Sequence, residues 1–222
     1  MCGRFTLHAA NEELQEQFYL ETQPQLSPRF NIAPTQLVAV VGKKTHGGKN
    51  GLQMFRWGFL PSWANDATGH RPVNAMLEGI AQKPMFREAI QKRRCLIPAS
   101  GFYEWKQVGK QKIPVFIRRT DRVPLAFAGI WERWQSETES IFTCAILTTA
   151  ADQQLQNLHH RMPVMLPPEQ WDIWLDRTTT FTQLEPELKK LPTVDLELLD
   201  ANPILNNARN ETPECLAGIP HD

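Results

Sequence analysis

The apolar residues of this chain fall into short runs, and that pattern constrains its fold more than any other feature. Leu37–Val41, Leu52–Trp57, Arg94–Pro98, Phe102–Trp105, Pro114–Ile117, Leu125–Ile130 and Ile141–Leu147 are each brief and often β-branched or aromatic. Gly, Pro or charged residues bound each run, which is how half-buried strands read. The 17 prolines outnumber the 12 glycines and are spread along the length, so many short elements are joined by fixed turns rather than by the loops of a helical bundle. Helical spacing appears at Glu12–Leu20, Met85–Arg93, Gln153–Leu158, Glu169–Leu175 and Leu184–Leu191. The pattern predicts an α+β protein with a curved, mostly antiparallel, barrel-like β core and peripheral helices. There is no repeat, no low-complexity tract and no Gly/Ser linker, so residues 1–222 read as a single domain.

Composition excludes several classes. With 41% hydrophobic and 22% charged residues the chain can bury a core, and disorder is excluded. No stretch approaches the roughly 18 apolar residues of a membrane helix, and the N-terminus lacks the pattern of a secretory signal. A cytoplasmic protein is expected, nucleoid-associated if bacterial. Lys and Arg number 24 and so do Asp and Glu, which argues against a bulk polyelectrolyte binder. That zero hides a split, because residues 1–130 carry a net +9 and residues 131–222 a net −9. Either the first part presents a basic face or the two signs mix over the surface. The four cysteines, at 2, 95, 144 and 215, form no C-x-x-C pair, so no thiolate zinc site or disulfide framework is expected. Cys95 and Cys144 read as core thiols.

Cys2 is different. Removal of Met1 leaves an N-terminal cysteine, whose α-amine has a reference pKa of roughly 7.7–8.0 beside a thiol near 8.5. A neutral amine attacks an aldehyde to form an imine, and the thiol can then close on the same carbon into a thiazolidine, which no internal cysteine can do. Gly3 lets other backbone approach, and Arg4 can hold a phosphate. Glu104 lies in Gly101-Phe102-Tyr103-Glu104-Trp105, where alternation puts it on the Phe102 face; a carboxyl group there suits proton transfer, unless it simply pairs with Lys106. His159 can exchange protons at neutral pH and Arg161 adds a guanidinium fork, while the adjacent His159 and His160 diverge too much to form a metal pair. Asn31, Pro34 and Asn74 sit in turn-like surroundings, able to orient a sugar or to close an Asx turn. Trp57 and Trp63 belong to an aromatic loop that either stacks nucleobases or forms core.

The order of these motifs is more specific than any one of them. Met1-Cys2-Gly3-Arg4-Phe5, Arg29-Phe30-Asn31-Ile32-Ala33-Pro34-Thr35, Arg56-Trp57-Gly58-Phe59-Leu60-Pro61-Ser62-Trp63, Asn74-Ala75, Ile97-Pro98-Ala99-Ser100-Gly101-Phe102-Tyr103-Glu104-Trp105 and His159-His160-Arg161-Met162-Pro163 together resemble the SOS-response-associated peptidase (SRAP) family of abasic-site processing proteins. The resemblance runs from residue 2 to about residue 216. It implies a monomer that binds single-stranded DNA containing abasic sites and crosslinks to them through Cys2, a lyase-type activity preceded by autoproteolytic removal of Met1. It implies no metal or cofactor and no membrane. In that resemblance Glu104 is the acid/base beside the amine, His159 the proton donor for sugar ring opening, Asn74 an orienting partner, and Arg4 and Arg161 phosphate contacts. One departure stands out: where the family reads Asn-Ala-Arg-x-Glu-Thr, this chain reads Asn74-Ala75-Met76-Leu77-Glu78-Gly79, so an arginine that grips the DNA backbone is replaced by Met76.

Two other readings compete. N-terminal-nucleophile glutamine amidotransferases also begin Met-Cys-Gly, but they continue with an Arg-Gly-Pro-Asp-like stretch that is absent here. A non-catalytic single-stranded-DNA or protein-binding module would use the aromatic loop and leave Cys2 inert.

Overall fold

The computed structural model describes residues 2–43, 48–69 and 71–218. Met1, whose removal the N-terminal motif implies, lies outside the described residues.

Two sheets carry the molecule. The larger contains β3 (Leu37–Lys43), β4 (Asn50–Trp57), β6 (Arg94–Ala99), β9 (Leu125–Gln135) and β10 (Ser140–Ala150). They run in the order β10-β4-β3-β6-β9, and β9 pairs back onto β10, closing a five-stranded barrel. Every contact in the ring is antiparallel except β4 with β10, which is parallel. Closure leaves the ring without a free edge. The smaller sheet is open, with β1 (Arg4–Leu7), β2 (Arg29–Ile32), β7 (Gly101–Val108), β8 (Gln111–Arg119) and β12 (Leu196–Asp200) in the order β12-β8-β7-β1-β2. The expected barrel-like core is therefore present, with a second sheet packed against it.

Strand β10 is long enough to outrun the barrel. Its first part pairs with β9 and β4, whereas residues 146–148 pair with β5 (Asn74–Met76) and residues 148–150 with β11 (Arg161–Pro163). The strands β5 and β11 thus flank the outer end of β10, and this three-stranded extension carries Asn74 on one side and Arg161 on the other.

An aromatic seam joins the two sheets. Phe5 makes edge-on contacts with Trp57 (5.1 Å between centroids) and Phe127 (6.1 Å), and Phe102 meets Phe127 at 5.8 Å. All four rings are buried, and edge-to-face pairs add roughly 0.5–1.5 kcal/mol each beyond their area. On its other face the smaller sheet buries Tyr103 and Phe116 under Leu205, Cys215 and Leu216 of the C-terminal segment. Both faces of β7 are therefore covered, which explains why Phe102, Tyr103 and Glu104 are all buried although their side chains alternate.

The helices are peripheral: α1 (Asn11–Gln17), α2 (Arg87–Lys92), α3 (Trp171–Leu175) and α4 (Phe181–Leu188). Reciprocal bonds between Thr180 and Gln183 cap α4, and Phe181, Leu184 and Leu188 are its buried stripe. The helix expected at Gln153–Leu158 is instead a run of turns. Asp152 accepts the backbone N–H of Gln154 (3.0 Å) and Leu155 (3.2 Å), and so short a segment cannot offset the cost of helix nucleation.

Gly101 has a steric reason to be glycine. A Cβ there would lie 2.4 Å from the Phe116 ring and 2.7 Å from the Ile117 carbonyl oxygen, neither of which can yield cheaply. Gly101→Ala is expected to destabilise the protein by about 1–3 kcal/mol, the usual cost of overpacking, seen as a lower denaturation midpoint. An unchanged midpoint would show that β7 and β8 are not this closely apposed.

Candidate active site

The pairing of β1 with β7, Arg4 opposite Tyr103 and Phe5 opposite Phe102, brings the N-terminus beside the carboxylate strand. Cys2 is buried, and its thiol points back at the Arg4 carbonyl oxygen, 3.8 Å away. Burial, and then the neighbouring Glu104 carboxylate, push this thiol well above its ordinary value, so it rests protonated. Asn74, at the start of β5, donates from Nδ2 to the Cys2 carbonyl oxygen at 2.9 Å. Cys2, Asn74 and Glu104 are thus brought together from three separate stretches of chain.

The register of the extension adds to this cluster. Asn74 pairs with Ile146 and Met76 with Thr148, so Asn74, Met76 and Thr148 share one face of the sheet, while the intervening Ala75 and Leu77 turn inward and are buried. The Oδ1 of Asn74 and the Oγ1 of Thr148 are buried and have no hydrogen-bond partner among the described residues. Native proteins seldom leave two such atoms on one face without a ligand or water to satisfy them. Sequence reading overlooked Thr148; the available signal was a Thr148-Thr149 pair ending an otherwise apolar strand.

On the far side of β10, His159 and Arg161 form a local unit. The Arg161 backbone N–H donates to His159 Nδ1 at 2.9 Å, and the two histidine rings stack at 4.3 Å. The same Nδ1 lies 3.1 Å from the Arg161 carbonyl oxygen, so both backbone groups of Arg161 face this ring nitrogen and hold the imidazole in place. The Arg161 guanidinium is held by Glu78, with Nη1 to Oε1 at 2.9 Å and Nη2 to Oε2 at 2.6 Å, and it donates again to the Thr148 carbonyl oxygen at 2.6 Å. The hydrogen bonds from Arg161 hold the Glu78 carboxyl down at about 2.

The remaining expected contacts divide between surface and interior. Arg4 spends Nη1 on Asn31 Oδ1 (2.8 Å) and the Leu205 carbonyl (2.9 Å), and its guanidinium lies over the Trp105 ring. Asn31 is wholly buried, and its Nδ2 donates to the Asn207 and Asn210 carbonyls at 3.2 and 2.7 Å. It anchors the C-terminal segment beneath Arg4 and does not reach the surface. Trp57 is likewise fully buried, donating Nε1 to the Val73 carbonyl at 2.8 Å, because it packs in the seam against Phe5. Neither side chain is placed to touch a strand directly. Of the two tryptophans only Trp63, 63% exposed, presents a ring to solvent, and Pro34 is half-buried beside the left-handed Thr35.

The Glu78–Arg161 pair has a defined pH signature. Glu78 has a folded-state pKa of about 2 against an ordinary 4.5, so the stability it adds is complete above the ordinary value and is lost as pH falls towards about 2. The difference in stability between wild type and Glu78→Gln should be level at neutral pH and close across that acid interval. It will be small, because Glu78 is about half exposed. Denaturant titrations at stepped pH measure it, and a difference that persisted to the acid end would mean the carboxylate is not what Arg161 holds.

The family model for SOS response associated peptidase (SRAP) matches residues 1–208. Abasic site processing protein YoqW of Bacillus subtilis is 35% identical over 97% of this chain and 99% of its own, and YoaM of the same organism is 34% identical over the full length of both. Abasic site processing protein HMCES of Rattus norvegicus is 29% identical over 98% of this chain and 76% of its own. A crystal structure of a Bacteroides thetaiotaomicron protein, 24% identical, shares the fold with a TM-score of 0.85 over 97% of this chain and 99% of that one. With a family match that spans nearly the whole chain and a buried Cys2 set between Asn74 and Glu104, this protein belongs to the SRAP family.

Proposed function

We propose that this protein processes abasic sites in single-stranded DNA by linking Cys2 covalently to the ring-opened sugar, after removal of Met1 has freed the Cys2 amine. The observation that carries the reading is the cluster itself: Cys2 held by Asn74 beside a buried carboxylate, on a face with two buried polar atoms that have no partner among the described residues.

The chemistry follows from the groups present. His159 donates a ring proton to the sugar ring oxygen as the ring opens, and the anomeric hydroxyl gives up its own proton to water as it becomes the aldehyde carbonyl. The Cys2 amine attacks the aldehyde carbon, and Glu104 carries one nitrogen proton to the oxyanion, which becomes a hydroxyl, and then the second to that hydroxyl, so that water leaves and an imine forms. The thiol then adds to the imine carbon; its sulfur forms the new C–S bond and its proton passes to nitrogen, closing the thiazolidine. A thiol that rests protonated suits this order, since the amine attacks first and no resting thiolate is required. Asn74 Oδ1 and Thr148 Oγ1 are positioned to bind sugar hydroxyls, and Arg4 to hold an adjoining phosphate. Autoproteolytic release of Met1 and a place in the SOS response belong to this proposal as well.

Two measurements test it. Cys2→Ser should retain at most a reversible imine, whereas wild type should form a heat-stable adduct with an abasic oligonucleotide; equal heat-stable adduct from both would refute the thiazolidine. Glu104→Gln and His159→Ala should each slow crosslinking by roughly 10²–10⁴-fold, the range for general acid/base groups, with strand affinity nearly unchanged. A loss of affinity as large as the loss of rate would assign both residues to binding.

A further inference from the structure

Arg161 is closed off in the free protein. Glu78 takes one nitrogen with each carboxylate oxygen, Thr148 supplies a carbonyl to Nη2, and Nε is buried without a hydrogen-bond partner among the described residues. A phosphate binds a guanidinium along the same edge and in the same two-point fashion as a carboxylate. Glu78 therefore sits where a phosphate held by Arg161 would sit.

The two partners differ in freedom. The Arg161 side chain is 11% exposed and tied to the β10 backbone, whereas that of Glu78 is 48% exposed. Beyond Arg161, the Glu78 carboxylate accepts from its own backbone N–H and meets the Thr149 hydroxyl at 3.4 Å. It is followed by Gly79, whose φ of +68° lets the chain turn sharply out of β5. The carboxylate is therefore freer to swing into water than the guanidinium, which the Thr148 carbonyl holds in place. Met76, exposed on the same face between Asn74 and Glu78, supplies no second cation to offset Glu78.

We propose that Glu78 is a specificity-determining residue that fills the phosphate seat of Arg161 in the free protein, so that strand binding exchanges this carboxylate for a phosphodiester on one guanidinium. The inference rests on reading the site as one for abasic DNA. Its consequence lies in the ion balance. A phosphate neutralised by a free guanidinium sheds condensed counterions and contributes about −0.7 to the slope of log affinity against log salt on a single strand. When Glu78 is displaced, its carboxylate gathers cations as the phosphate sheds them, and the contact adds almost nothing to the slope. Arg161 thus contributes selectivity for an anion able to displace a carboxylate, with little net gain in affinity.

The test is a salt titration of an undamaged fluorescent single-stranded oligonucleotide against wild type, Glu78→Gln, Arg161→Gln and the double variant. Glu78→Gln should bind several-fold tighter at low salt with a slope steeper by about 0.7, and the same substitution should change nothing once Arg161 is Gln. Glu78→Ala gives the same readout without the amide that could still hydrogen-bond Arg161. An unchanged slope in both Glu78 variants overturns the exchange, as does an equal gain in the Arg161→Gln background, which would reflect net charge alone. Wild-type protein incubated with an abasic oligonucleotide separates the two levels. A heat-stable adduct together with inert Glu78 variants overturns the exchange only, whereas neither adduct nor strand binding overturns the reading of the site and the exchange with it.

Discussion

The site depends on the contact of Phe5 with Trp57 and Phe127. Phe5 lies on the first strand of the smaller sheet, and the rings it meets belong to β4 and β9 of the barrel. This contact fixes how the open sheet sits on the closed one. It also fixes the position of a residue three places earlier in the chain, Cys2. A terminus is ordinarily the least ordered part of a domain. Here it is pinned by strand pairing with β7, by the buried Phe5 and by Asn74 on the Cys2 carbonyl. Cys2, next to the start of the chain, is therefore held in one place.

Strand β10 performs the complementary task. Because its eleven residues exceed what the barrel needs, the surplus pairs with β5 and β11 and brings Asn74, Met76, Thr148 and Arg161 to one end of one strand. A closed barrel resists shear, so polar groups mounted on its extension hold their spacing without a dense side-chain network. That rigidity holds Asn74 and Thr148 on one face of the extension.

The charge split along the chain resolves into contacts between its two parts. Arg29 meets Glu211, Lys43 meets Asp172, Arg93 meets Glu132, Lys106 meets Asp200 and Arg118 meets Glu197, each pairing a cation from the basic part with an acid from the acidic part. The two signs are interleaved by folding, and the cations near the site, Arg4 and Arg161, both have protein acceptors. Compositional asymmetry in sequence therefore says little about a basic face until it is known which residues the fold pairs.

The long strands were legible because hydrophobic patterning sets them directly: all seven apolar runs lie within strands of the barrel or of the smaller sheet. The short strands β1, β2, β5 and β12 were not, since three to five residues carry too little periodicity to distinguish a strand from a loop. At the site, residue type and local motif marked Cys2, Glu104 and His159 as groups able to react. They did not show which side of the backbone each group faces, or what lies against it. Asn31 and Trp57 sit in motifs that equally suit a surface contact, yet both are interior, because the C-terminal segment covers one and the smaller sheet covers the other. The Thr148-Thr149 pair was a weak mark that gave no partner, and the place of Thr148 on the face of Asn74 arises from a parallel register between segments about seventy residues apart. Sequence by itself determined which groups could react, because reactivity is a property of the residue and its nearest neighbours. Only the tertiary structure decided which of them meet, because long-range strand register and the burial of aromatic rings set distances that no local pattern encodes.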